Sequence, residues 1–201
     1  MPKIKLCGLF RDCDIDYASE ARPDYVGFVF AESRRQIDRE TAKRFRQRLS
    51  PEIQAVGVFV NEKTDTVVSL ANEGVIDLIQ LHGNENEETI RQLKERTKAP
   101  VIKAVRVRFA GEIMKAETLS ADFLLLDTYS PGTMGGTGRT FDWSVIPRIE
   151  KPWFLAGGIG LENIEQAKKT AACCLDVSSG IETGGVKDRA KMLEIVRRVR
   201  R

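Results

Sequence analysis

Two side chains in this 201-residue chain are of types that move protons on carbon, and they stand where a fold could bring them together. Cys7 ends the run Lys3 to Cys7, which alternates enough to form a strand and is closed by Gly8. Asp127 follows four apolar residues, Phe123 to Leu126, long enough for a buried strand and too short for a helix. A thiol and a carboxyl facing each other across a substrate can take a proton from carbon with one group and give one to oxygen with the other. That chemistry asks for thiolate character in Cys7, helped by a cation or a helix N-terminus, and for a protonated Asp127. The structural alternatives are an inert buried thiol and a capping or loop-bonding carboxylate.

Other residue types suggest what such a pair would act on. Ala156-Gly157-Gly158-Ile159-Gly160 and Ser178-Ser179-Gly180 each follow an apolar run, and glycine lets a backbone come close to a phosphate while N–H groups at the start of a following helix supply donors. Each run alone also fits a simple turn; together they point to a phosphorylated metabolite. Arg34 and Arg35 follow Ser33 in a polar stretch where a guanidinium fork could clamp a carboxylate or stay solvated. Asp176 lies inside an apolar run, where a carboxylate needs a partner. His82 is the one histidine, before Gly83, and suits a hydrogen-bonded structural role as well as proton transfer. Between Asp127 and Phe141-Asp142-Trp143, Gly132, Gly135, Gly136 and Gly138 make a long permissive loop.

Positioning these residues takes a repeated unit. Apolar runs are expected at Lys3 to Cys7, Tyr25 to Phe30, Ile53 to Val60, Ile76 to Leu81, Pro100 to Val105, Phe123 to Leu126, Trp153 to Ala156 and Cys173 to Val177. A helix is expected after each, including one capped by Asn61, a short one to about Ile149, one over Glu162 to Ala171 and a last one from Asp188. Eight strand-then-helix units without a linker predict an α/β protein whose residues 1–201 form a single (β/α)8 barrel of eight parallel strands, with the site at the C-terminal ends of the strands. An open doubly wound sheet is the competitor, but its GxGxxG turn is missing after the first strand, where CGLFRD stands.

Composition narrows the function classes. Lys plus Arg number 32 against 29 Asp plus Glu, with the signs interspersed, which argues against a nucleic-acid partner. The basic Arg197 to Arg201 cluster reads as a solvated helix end. Cys7, Cys13, Cys173 and Cys174 show no CxxC spacing, so a zinc site is not expected. No secretory signal or membrane-length apolar run is seen, and a reduced, cytoplasmic protein without a membrane partner is expected.

Taken in order, Lys5-Leu6-Cys7-Gly8, Gly27-Phe28-Val29-Phe30, Ser33-Arg34-Arg35, Val58-Phe59-Val60-Asn61, Gln80-Leu81-His82-Gly83, Gly135-Gly136-Thr137-Gly138 with Phe141-Asp142-Trp143, Ala156-Gly157-Gly158, and Asp176 to Gly180 with Gly185 to Asp188 resemble the motifs of phosphoribosylanthranilate isomerases. The resemblance implies an Amadori rearrangement of N-(5-phosphoribosyl)anthranilate in tryptophan biosynthesis. By it Cys7 is the general base and Asp127 the general acid, Arg35 meets the anthranilate carboxylate, and Asp176 helps hold the substrate, beside His82. Gly157, Gly158, Ser178, Ser179 and Gly180 would hold the phosphate. No metal or organic cofactor is implied, because the iminium intermediate is its own electron sink, and the protein would be a monomer or homodimer. Leu6 stands where the family usually has Ile, and Arg139 where it usually has Lys. A metal-dependent epimerase would need several histidines, and an aminoimidazole carboxamide ribotide isomerase would place Asp at position 7. A phosphosugar-binding module would have no use for Cys7 opposite Asp127.

Overall fold

Apolar runs flanked by glycine and polar residues become strands that are buried on both faces. The computed structural model describes residues 1–128 and 142–201. In it β1 (Lys3–Cys7), β2 (Tyr25–Val29), β3 (Gln54–Phe59), β4 (Leu78–Leu81), β5 (Val101–Val107), β6 (Phe123–Thr128), β7 (Trp153–Leu155) and β8 (Cys174–Val177) pair in parallel, each with the next. β8 returns to β1 with Lys5 opposite Asp176, and the barrel closes. Helices α1 (Asp12–Ala21), α2 (Arg39–Arg48), α3 (Thr64–Asn72), α4 (Glu87–Arg96), α5 (Ala110–Glu117), α6 (Ile164–Ala167) and α7 (Arg189–Val199) alternate with the strands. Their caps follow from sequence: Asp38, Asn86 and Asp188 each accept a backbone N–H three residues on, from Thr41, Thr89 and Lys191.

The side-chain period of two sorts each strand into two faces. One face packs against the helices and makes the main core, with Leu6, Phe28, Phe59, Leu81, Leu126 and Leu155. The other fills the barrel: Tyr25, Val56, Leu78, Ile102, Leu125, Phe154 and Cys174 form a separate apolar plug. Two residues further along the same strands the interior turns polar, at Gln80, Asp127 and Asp176. The chemistry is therefore stacked on a hydrophobic floor.

Three local expectations are corrected, and one loop is given its form. Asn61 does not cap α3; it takes a left-handed φ of 52°, its Oδ1 accepts Asn84 N, and Lys63 stands at the cap position. The short helix expected to run to Ile149 is a 3₁₀ turn, Trp143–Val145, capped by Asp142, because Pro147 disfavours helical geometry at Ile146. The helix expected over Glu162 to Ala171 is reduced to the four residues of α6. Asn163 is engaged at its start, accepting Gly160 N and donating to Gly158 O, and the Thr170 hydroxyl takes the Ala167 carbonyl at its end. The loop at Gly184-Gly185 is the turn of a hairpin, β9 (Glu182–Thr183) with β10 (Val186–Lys187), and both glycines have positive φ, as a tight hairpin turn requires. The glycine loop between Asp127 and Asp142 lies outside the described residues.

Candidate active site

The C-terminal ends of most of the strands deliver side chains to one mouth. Cys7, Arg35, Gln80, His82, Asp127, Gly157, Gly158, Asp176, Ser178 and Ser179 all line a single cavity of about 620 Å³ there. Of the residues expected from sequence to hold the phosphate, only Gly180 is not part of the lining. It sits behind the wall against Gly160, where an added Cβ would lie 2.0 Å from the Ile159 carbonyl oxygen.

Beneath Cys7, Lys5 is fully buried two residues earlier on the same face of β1. Its ammonium donates to Gln80 Oε1 at 2.6 Å and Asp176 Oδ2 at 2.8 Å, and lies 3.5 Å from Cys7 Sγ. Burial alone would pull the Lys5 ammonium down, but Asp176 and Cys7 outweigh it and hold its pKa above the ordinary range. Burial acts on Cys7 as well and here prevails: the thiol is pushed up, with Lys5 and Lys187 pulling against it and Asp176 adding to the rise. The cation expected near Cys7 is thus present, working against the burial that opposes ionisation of the thiol. Gly27 makes room for the sulfur, since a Cβ there would lie 2.6 Å from Sγ.

Asp127 is the inward residue of β6, and the strand runs one residue past it. Its Oδ2 lies 3.1 Å from His82 Nε2, and its Oδ1 accepts Thr128 N at 2.8 Å. His82 Nδ1 in turn lies 2.9 Å from Gln80 Nε2. Asp176 lines the cavity, and its buried Oδ1 has no hydrogen-bond partner among the described residues, so a ligand hydroxyl or amine that reached it would satisfy it.

On the rim, Arg35 presents Nε and one terminal nitrogen to Glu182, at 2.7 and 3.1 Å. Arg34 and Lys187 reach the same carboxylate at 2.5 and 2.8 Å. Burial opposes ionisation of Glu182, but Arg35 and Lys187 override it and keep its pKa below the usual carboxylate range. Arg35 lines the cavity and its side chain is 13% exposed, whereas that of Arg34 is 56% exposed and Arg34 does not line it. Gly8 lets the Arg35 chain pass, as a Cβ there would lie 2.5 Å from its Cδ.

The loop after β7 holds Gly157 and Gly158 at φ of 84° and 66°, a left-handed pair that other residues adopt only with strain. Gly157, Gly158 and Ile159 of this loop line the cavity, and the helix that follows, α6, is only four residues long. Ser178 donates to the Cys7 carbonyl, and Lys187 donates to the Ser178 carbonyl, tying the loop after β8 to the mouth of β1.

Sequence reasoning missed Lys5, Gln80, Glu182 and Lys187. The parity of KIKLC and QLH carried the first two: Lys5 shares a face with Cys7, and Gln80 with His82. For the other two only the Gly-Gly pair between them, a hairpin turn, was a signal.

Fold and mouth together define a (β/α)8-barrel enzyme with its polar groups gathered at the C-terminal ends of the strands. Residues 4–198 match the family described as N-(5′-phosphoribosyl)anthranilate (PRA) isomerase. The N-(5′-phosphoribosyl)anthranilate isomerase of Endomicrobium trichonymphae is 52% identical over 201 residues, covering 100% of this chain and 99% of the relative. The crystal structure of phosphoribosyl anthranilate isomerase from Thermotoga maritima superposes with a TM-score of 0.86 at 33% identity, over 100% of this chain and 99% of that one. A phosphoribosyl anthranilate isomerase in complex with reduced 1-(o-carboxyphenylamino)-1-deoxyribulose 5-phosphate gives a TM-score of 0.81 at 31% identity, over 100% and 99% of the two chains. The chain belongs to the N-(5′-phosphoribosyl)anthranilate isomerase family.

Proposed function

We propose that Cys7 is the general base and Asp127 the general acid with which this chain isomerises N-(5′-phosphoribosyl)anthranilate to 1-(2-carboxyphenylamino)-1-deoxyribulose 5-phosphate in tryptophan biosynthesis. The observation that carries the assignment is that the thiol and the carboxyl open onto one cavity, with a buried ammonium beside the sulfur. Asp127 protonates the furanose ring oxygen, and the C1′–O bond breaks as the anilino nitrogen's lone pair forms an iminium ion. Cys7, as thiolate, removes the C2′ proton, and the electron pair of that bond flows to the iminium nitrogen, giving an enolamine. Tautomerisation then moves the enol proton to C1′ and yields the ketone. Lys5 lies close enough to the sulfur to favour its ionised form, against the burial that opposes it.

The remaining roles follow from charge and place. Arg35 meets the anthranilate carboxylate with the part of its fork that Glu182 does not occupy. Asp176 accepts a hydrogen bond from a substrate hydroxyl or amine at its unpartnered Oδ1. The phosphate is placed against the backbone of Gly157-Gly158, where glycine permits close approach, and against Ser178-Ser179, with Gly180 behind them supporting the wall.

Loss of the substrate's anthranilate fluorescence with purified protein separates this isomerase from a phosphosugar-binding module. In the same assay Cys7→Ser and Asp127→Asn each lower turnover by about two or more orders of magnitude while the melting temperature holds. Near-wild-type turnover in both variants overturns the acid–base assignment.

A further inference from the structure

We propose that Lys5, Gln80 and His82 form a positioning relay that sets the histidine as a neutral hydrogen-bond donor to Asp127, so that the cation beside the base also governs the partner of the acid. The steps are forced one by one by donor and acceptor chemistry. The Lys5 ammonium has only hydrogens to offer, so the Gln80 atom at 2.6 Å from it is the amide oxygen. The amide nitrogen is then the atom that faces His82 Nδ1 at 2.9 Å, and an NH2 group can only donate. Nδ1 must therefore keep its lone pair, which excludes both the imidazolium and the Nδ1–H tautomer. The one ring hydrogen is left on Nε2, where Asp127 Oδ2 accepts it at 3.1 Å. Turning the Gln80 amide over would set its NH2 against the Lys5 ammonium, donor against donor, so Lys5 locks the orientation.

The arrangement serves the acid specifically. A donor fixed on Oδ2, with Thr128 N on Oδ1, stabilises the carboxylate that remains once Asp127 has passed its proton to the ring oxygen. Each carboxyl oxygen keeps a second lone pair to carry the proton beforehand. The backbone adds its own restraint, because Arg106 donates to the His82 carbonyl and the Lys103–Glu85 pair grips the Leu81 and Gly83 carbonyls and the Gly83 N–H. His82 is accordingly a positioning residue for Asp127, and the inference rests on the acid assignment made above.

The chain carries one histidine, so 15N-imidazole labelling gives a single pair of ring resonances. In the wild-type protein the expected result is an unprotonated nitrogen at Nδ1 and a protonated one at Nε2; a hydrogen on Nδ1 overturns the relay without any reference to turnover. Gln80→Met removes both contacts at constant shape, and the ring is expected to show a mixture of tautomers with kcat lower by about tenfold and KM changed less than about threefold. Gln80→Glu presents an acceptor in place of the donor and is expected to draw a hydrogen onto Nδ1 with a similar loss in kcat. Tautomer change with kcat within about twofold of wild type, or loss of kcat with the tautomer unchanged, overturns the proposal. Cys7→Ser and Asp127→Asn measured alongside keep the two readings apart, since their retention of turnover sinks the acid–base assignment while leaving the wild-type tautomer standing.

Discussion

The two layers inside the barrel use the same strands and the same facing direction, and they behave as different solvents. In the lower layer Cys174 sits among Tyr25, Leu125 and Phe154, and burial pushes its thiol well above the ordinary range. One layer up, Cys7 is buried too and its thiol is also raised, but Lys5 stands 3.5 Å from its sulfur and the cavity reaches it. Burial alone makes a cysteine inert. What separates a site from a floor is a nearby cation that is itself held in charge by a carboxylate, together with access for a ligand.

Breaking the charged layer should cost far more than thinning the apolar one. Lys5→Met leaves Asp176 buried without its counter-ion and is expected to lower the unfolding free energy by about 3–5 kcal/mol in urea titration, most of it recovered in Lys5→Met/Asp176→Asn. No recovery in the double variant would mean that packing, and not charge, is what Lys5 supplies. At the rim the contrast is between two neighbouring arginines on one carboxylate. Arg35→Ala is expected to raise KM by about tenfold or more, and Arg34→Ala by less than about threefold, because only Arg35 lines the cavity. The reverse order moves the carboxylate clamp to Arg34.

Acid should reach this rim as well. The folded pKa of Glu182 lies below its unfolded value, so its contribution to stability is fully present above the unfolded value and is lost as pH falls through the folded one. Melting temperatures of Glu182→Gln measured from about pH 5 down to about pH 3 should therefore fall less steeply than those of wild type. Equal slopes would remove the linkage. The smallest effect belongs to the floor: Cys174→Ala should leave turnover within about twofold and cost about 1 kcal/mol of stability, against the loss of turnover in Cys7→Ser.

The barrel itself was legible because strands buried on both faces need apolar runs, and eight of them appear at regular spacing. The ends of elements were less so. Thr170 bonding back to Ala167 is local to Glu162 to Ala171, but that Asn163 will bond Gly158 and Gly160 and so shorten the helix depends on the neighbouring loop. The site was readable at residues whose type implies chemistry, such as Cys7, Asp127 and Arg35. Lys5 and Gln80 escaped because a lysine or glutamine in a strand ordinarily faces water, and only barrel closure sends them inward. Their parity with Cys7 and His82 was the available clue.

Lys5 and Asp176 meet across the β1–β8 seam although 171 residues separate them along the chain. A ribosome that has delivered seven strands has already made the sulfur, the acid and the histidine, yet the ammonium at their centre has no counter-ion until the eighth emerges. Products truncated before the eighth strand are therefore expected to show no turnover, so that activity would report synthesis through to the final strand.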